Sequence, residues 1–213
     1  MNQPNNEIEF DAEKHEYRVG GIITPSVSQI LKANGLMDNF RHNENSLRIG
    51  TAIHKALELH DKGTIDYSKL DPRLKKCIKL WEDFKKQMGL VVTGIEKKVC
   101  VGQIYAGTID RIATDNRNIA IIDYKSGNPQ DWAALQTAAY AMAYNPTGNY
   151  KEWERYCLKI HWDLDRAIYK PYKDKNDFQN FMSMANAYHW KKNHGYLKEE
   201  VNGDNGNRVA DAD

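Results

Sequence analysis

The run Ile119-Ala120-Ile121-Ile122-Asp123 constrains the fold more than any other segment. It is apolar on both faces and follows the polar turn Asp115 to Asn118, so it reads as a strand in the middle of a sheet. It continues into Tyr124-Lys125, which places a carboxylate and an ammonium on one face at the end of a buried strand. Ahead of it, Val91 to Val101 and Ile104 to Ala113 flank Gly102-Gln103 as a hairpin, with Gly107-Thr108-Ile109-Asp110 on the second strand. Behind it, Asn128-Pro129-Gln130-Asp131 introduces a helix over about Trp132 to Tyr144, closed by Asn145-Pro146. Gln136 and Tyr140 are four apart on one face of that helix.

Other elements frame this core. His15 to Val19 and Ile22-Ile23 form a short hairpin around Gly20-Gly21. Thr24-Pro25-Ser26 opens a helix, with Ser26 and Gln29 at capping-box spacing. Helices are expected from about Glu44 to Lys62 and from Asp71-Pro72 onward, with Asp71 as cap. Tyr156 to Trp162 and Arg166 to Tyr172 make a second strand pair, and a last helix runs from about Asp174 to Lys192. The reading is one α/β domain over residues 1–200: an N-terminal hairpin and helices to about 90, then a core over 91–197. A disordered polar tail is expected over 201–213.

Asp110 and Asp123 converge at one sheet edge if their strands are neighbours. Two such acids repel unless a cation lies between them, and hard oxygen ligands suit Mg²⁺ or Mn²⁺. Lys125 can hold an attacking water and offset charge building on a phosphorane. The set suits metal-assisted attack of water on a phosphodiester. A lone acid-x-Lys is more often a solvated strand end, so the order of the whole set carries the reading. His54 can complete the metal site, with Glu58 four residues on to orient it or approach a second cation. Gly50 has no evident packing reason to sit in this otherwise strong helix, which favours a functional segment. Gln136 and Tyr140 are neutral donors for a phosphate oxygen or a metal-bound water; the alternative is a Tyr packed on the sheet with Gln at its rim. Arg48 and Arg111 flank the motifs as candidate phosphate ligands or solvated charges. Glu96, on the first strand of the hairpin, is a candidate to structure the site but has no clear partner in the sequence. The aromatic residues Trp132, Tyr144, Tyr150, Trp153 and Tyr156 read first as core packing.

Bulk properties exclude several classes. The 213 residues carry a net charge of +1, which advertises no polyanion partner by itself. Three scattered cysteines, Cys77, Cys100 and Cys157, make no disulfide framework or zinc site, and a reducing cytoplasm is the default. The start is polar, unlike a signal peptide, and no run approaches the roughly 20 apolar residues of a membrane span. The protein is expected to be cytoplasmic and not secreted.

From Pro25 to Tyr144 these motifs resemble the PD-(D/E)XK nuclease superfamily, closest to its RecB-like branch. They are Thr24-Pro25-Ser26-Val27-Ser28, Gly50-Thr51-Ala52-Ile53-His54, Gly107-Thr108-Ile109-Asp110, Asp123-Tyr124-Lys125 and Gln136-Thr137-Ala138-Ala139-Tyr140. Phage-encoded and mitochondrial genome-maintenance exonucleases look similar. The resemblance implies a restriction-endonuclease-like core, a central mixed sheet flanked by helices, with N-terminal helices packed over the active site. It implies that His54, Asp110, Asp123 and the Tyr124 carbonyl hold the metal. Lys125 would be the catalytic lysine, with Gln136 and Tyr140 near the scissile phosphate. Three cysteines cannot hold the four-cysteine iron–sulfur cluster of some relatives, so none is expected.

The expected activity is a Mg²⁺- or Mn²⁺-dependent DNA exonuclease in replication, recombination or repair, in a bacterial or phage-infected cell. The resemblance, together with the absence of a recognisable helix-turn-helix or zinc finger to read a duplex, implies that it would require a DNA end and prefer single strands. A helicase, recombinase or single-strand-binding protein would be a separate chain. The alternatives are a catalytically silent nucleic-acid- or partner-binding module on the same fold, and a nuclease acting on RNA.

Overall fold

A computed structural model describes residues 7–37 and 44–197; the tail expected over 201–213 lies outside them. The chain runs β1 (Ile8–Asp11), β2 (Glu16–Val19), β3 (Ile22–Thr24), α1 (Val27–Ala33), α2 (Glu44–Asp61) and α3 (Pro72–Met88). It continues with β4 (Val91–Val101), β5 (Tyr105–Thr114), β6 (Ile119–Lys125), α4 (Ala133–Tyr144), β7 (Glu154–Lys159), β8 (Ile168–Pro171) and α5 (Asn176–Asn193).

β6 is the middle strand of a five-stranded sheet of order β4-β5-β6-β7-β8. Its pairing with β5 is antiparallel and with β7 parallel, so the sheet is mixed. A parallel pair requires a crossover, and α4 supplies it. Helices cover both faces. One core joins Ile112 and Ile121 to α1, α4 and α5 through Ile30, Leu31, Ala138, Ala139 and Phe181. The other joins Ile122, Tyr124 and Leu158 to α2 and α3 through Ile53, Leu57, Ile78 and Trp81. The result is the α/β, restriction-endonuclease-like arrangement expected from the sequence.

Local signals set the boundaries. Ser26 and Gln29 form a reciprocal capping box at α1. Asp71 caps α3 through the Arg73 N–H, Pro72 occupies the first turn, and Gly89 ends the helix with φ +65°. The N-terminal hairpin gains a strand that sequence reading missed. β1 pairs antiparallel with β2 and turns Ile8 and Phe10 toward Tyr17, Val19 and Ala106. Four residues of alternation are too short to stand out in the sequence.

Candidate active site

The ladder between β5 and β6 ends at Arg111 opposite Ile122. Beyond it, the Asp110 carboxylate replaces the missing ladder partner, and its Oδ2 accepts the Tyr124 N–H at 2.6 Å. The N–H and C=O of a strand residue face the same side, so the Tyr124 carbonyl turns toward the Asp110 edge. The Tyr124 side chain goes the other way, into the core against Trp81.

Asp123 is 4% exposed, beside Asp110. Burial pushes its carboxyl upward, Lys125 pulls it down, and the Asp110 charge raises it further. Lys125 Nζ pairs with the buried Asp123 Oδ2 at 2.7 Å. The ammonium also donates to Gln136 Oε1 at 3.2 Å and lies 5.3 Å over the Trp132 ring. Gln136 Nε2 in turn donates to the Tyr140 hydroxyl at 2.9 Å. One row of side chains thus runs from β6 onto α4. Tyr140 reaches it because residue 107 is glycine: a Cβ there would lie 2.6 Å from the Tyr140 ring. Gln136 is buried in this row, and Tyr140 both packs in the core and hydrogen-bonds to it.

His54, on α2, approaches from the other side, with Nδ1 3.7 Å from Asp110 Oδ1. That gap is too long for a hydrogen bond. The donor set suits a divalent cation: two carboxylates, a neighbouring imidazole and a backbone carbonyl.

Three sequence expectations change, at Gly50, Glu58 and Arg111. Gly50 does have a packing reason, because a Cβ there would meet Ser126 Oγ at 3.2 Å, one residue after Lys125. Glu58 does not orient His54; it accepts from Lys55 and Lys62, and bonds from Lys62 and Lys55 hold its carboxyl below the usual range. Arg111 is no phosphate ligand: it is fully buried and paired with Asp61 and Glu96. Arg48 is exposed in a cleft of about 310 Å³ with Arg73 and Trp162, and no contact joins it to the carboxylates.

Glu96 belongs to the site although the sequence offered it no partner. It lies in the β4 segment facing Asp110, between the pairs Ile95–Arg111 and Lys97–Ile109. Its φ of +46° is a left-handed conformation that costs a glutamate on the order of 1–2 kcal/mol. Burial and the Asp110 charge push its carboxyl up to about 7, against the pull of Arg111. The signal was structural only, since cross-strand register is not written in the Glu96 neighbourhood.

His60, Asp61 and Glu82 bring three possible ligand atoms within 4.8 Å of one another. Their charge is already neutralised: Asp61 meets Arg111 and Lys85, and Glu82 meets His60 and Lys85.

A family model described as the PD-(D/E)XK nuclease superfamily matches residues 79–200, more than half of the chain. The match contains Asp110, Asp123, Lys125, Gln136 and Tyr140, and begins after His54. No curated protein matches the chain.

Proposed function

Because the chain belongs to the PD-(D/E)XK nuclease superfamily, we propose that it is a Mg²⁺- or Mn²⁺-dependent deoxyribonuclease that trims DNA from an end and prefers single strands. The observation that carries the reading is the row Asp110, Asp123, Lys125, Gln136 and Tyr140 on one sheet edge and one helix face. An ammonium paired with a buried carboxylate at 2.7 Å, and lined up with a buried amide and hydroxyl, suits charge stabilisation during hydrolysis more than simple binding. Membership in a nuclease superfamily supports hydrolysis; DNA, its ends and a place in replication, recombination or repair are our extension.

When bound, a divalent cation supplies charge that activates water and offsets the growing phosphorane charge. Asp110, Asp123, His54 and the Tyr124 carbonyl are the groups to hold it. Asp123 positions the Lys125 ammonium, and Gln136 keeps it from swinging toward solvent. Lys125 then steadies the attacking water or the non-bridging oxygen that gains charge. Gln136 and Tyr140 present N–H and O–H groups along the path of the phosphate. Arg48, exposed on α2, is a candidate for a more distant phosphate.

The test is digestion of end-labelled DNA, single- and double-stranded, linear and circular, with Mg²⁺ or EDTA. Mg²⁺-dependent loss of linear single strands, with circles spared, is the expected pattern. Equal loss of circles would replace the end requirement by nonspecific endonuclease action. Cleavage in EDTA would remove the metal mechanism, and preference for RNA would redirect the substrate assignment.

A further inference from the structure

No step described above uses Arg111, yet the fold buries it completely beside the acids. Its Nε donates to Asp61 Oδ2 at 2.5 Å. Its Nη1 donates to Glu96 Oε1 at 3.0 Å and to the Asp110 carbonyl at 2.5 Å. The guanidinium carbon lies 5.1 Å over the ring of Tyr124, whose N–H binds Asp110. Asp61, at the end of α2, is anchored in turn: its side chain is 2% exposed and accepts the Trp81 indole N–H at 2.9 Å. A chain of contacts therefore runs from α2 and α3 through Asp61 and Arg111 to Glu96, the Tyr124 ring and the Asp110 backbone.

Resting on the metal-nuclease reading above, we propose that Arg111, anchored by Asp61, is a positioning residue that sets the geometry and affinity of the cation site at Asp110, Asp123 and the Tyr124 carbonyl. A buried pair serving stability alone needs only the Nε–Asp61 contact. Here the same planar fork also fixes Glu96 in its left-handed conformation and the backbone carbonyl of Asp110. Lysine has a compact charge and no rigid fork, so it cannot hold three acceptors at set angles. Asp61 pairs with the Arg111 guanidinium and offsets its charge, so the guanidinium does not repel a cation at Asp110.

The test measures Mn²⁺ binding by calorimetry on the full chain, with folding checked by thermal melting. Two variants carry it. Arg111→Lys keeps a charge for Asp61. The double variant Asp61→Asn with Arg111→Met removes one charge of each sign, so the formal net charge beside the site is unchanged while the fork is lost. Outer groups that orient metal ligands typically contribute 10- to 100-fold in affinity. Each folded variant should therefore bind Mn²⁺ at least about tenfold more weakly, with cleavage half-saturating at correspondingly higher Mn²⁺. Mn²⁺ affinity within twofold of the parent in a folded variant overturns the proposal. If one variant fails to fold, the other decides; if neither folds, the pair is a folding element and the proposal is overturned. A parent protein that binds no Mn²⁺ sinks the metal-nuclease reading itself, a distinct result.

Discussion

Asp123 is held where its charge is costly: it is buried and faces a second acid, with Lys125 pulling the other way at 2.7 Å. Asp123→Asn should abolish Mg²⁺-dependent cleavage, because a metal ligand is lost. In EDTA its melting temperature should equal or exceed that of the parent, because an unfavourable buried charge is gone. A clear drop in EDTA would mean that the Lys125 pairing outweighs the desolvation. Lys125→Ala should slow cleavage by roughly 10²-fold or more, as removal of one charge-stabilising donor does at other sites. DNA affinity should change far less, because phosphate contacts are spread over many groups; the pair of measurements is single-turnover cleavage and equilibrium binding. Both residues were legible in the sequence because period-two alternation after an apolar run puts Asp123 and Lys125 on one face. Arg111 was misread although the same alternation turns it away from Asp110. Its partner Asp61 lies 50 residues away, and nothing local announces a buried guanidinium.

At the scale of elements, the apolar run of β6 identified the central strand, and the residues at Ser26, Asp71 and Pro72 identified two helix starts. These signals are local, so sequence suffices for them. Glycines are a different case, because their reason lies across the fold. Gly107 lets Tyr140 lie flat on β5, and Gly50 lets α2 approach Ser126 at the end of β6. The two approaches differ in severity. A Cβ at 107 falls 2.6 Å from the rigid ring of Tyr140, whereas one at 50 falls 3.2 Å from a small hydroxyl able to rotate. Gly107→Ala should therefore displace Tyr140, break its bond to Gln136 and lower both stability and cleavage rate. Gly50→Ala should cost much less, since alanine also favours the helix by about 1 kcal/mol over glycine. Melting curves and cleavage rates of the two variants check the order, and a milder effect at 107 than at 50 would refute it.

At the scale of the molecule, the site joins parts that are distant in sequence. α2 brings His54 and Asp61, the β4–β5 hairpin brings Glu96 and Asp110, and β6 and α4 bring the rest. The N-terminal sheet is tied in as well, through the Tyr17 hydroxyl and Thr108 Oγ1 at 2.8 Å. Bringing three acids together before a metal arrives makes the metal-free fold sensitive to pH. The Glu96 carboxyl rises from its ordinary value near 4.5 to about 7, and that of Asp123 also rises. Between those limits the folded state keeps a proton that the unfolded chain has released, so stability falls as pH rises through the window. In EDTA the melting temperature should therefore drop from about pH 5 to pH 7 more steeply in the parent than in Glu96→Gln, which cannot ionise. Saturating Mg²⁺ should stabilise the parent more at pH 8 than at pH 5, because the cation binds ionised carboxylates and proton competition weakens as pH rises. Calorimetric melting of parent and Glu96→Gln, with EDTA or Mg²⁺ at each pH, separates these contributions. Identical pH slopes for the two proteins in EDTA would show that Glu96 does not hold its proton in the fold. A Mg²⁺ stabilisation independent of pH would show that the acids at this edge are not what the cation binds.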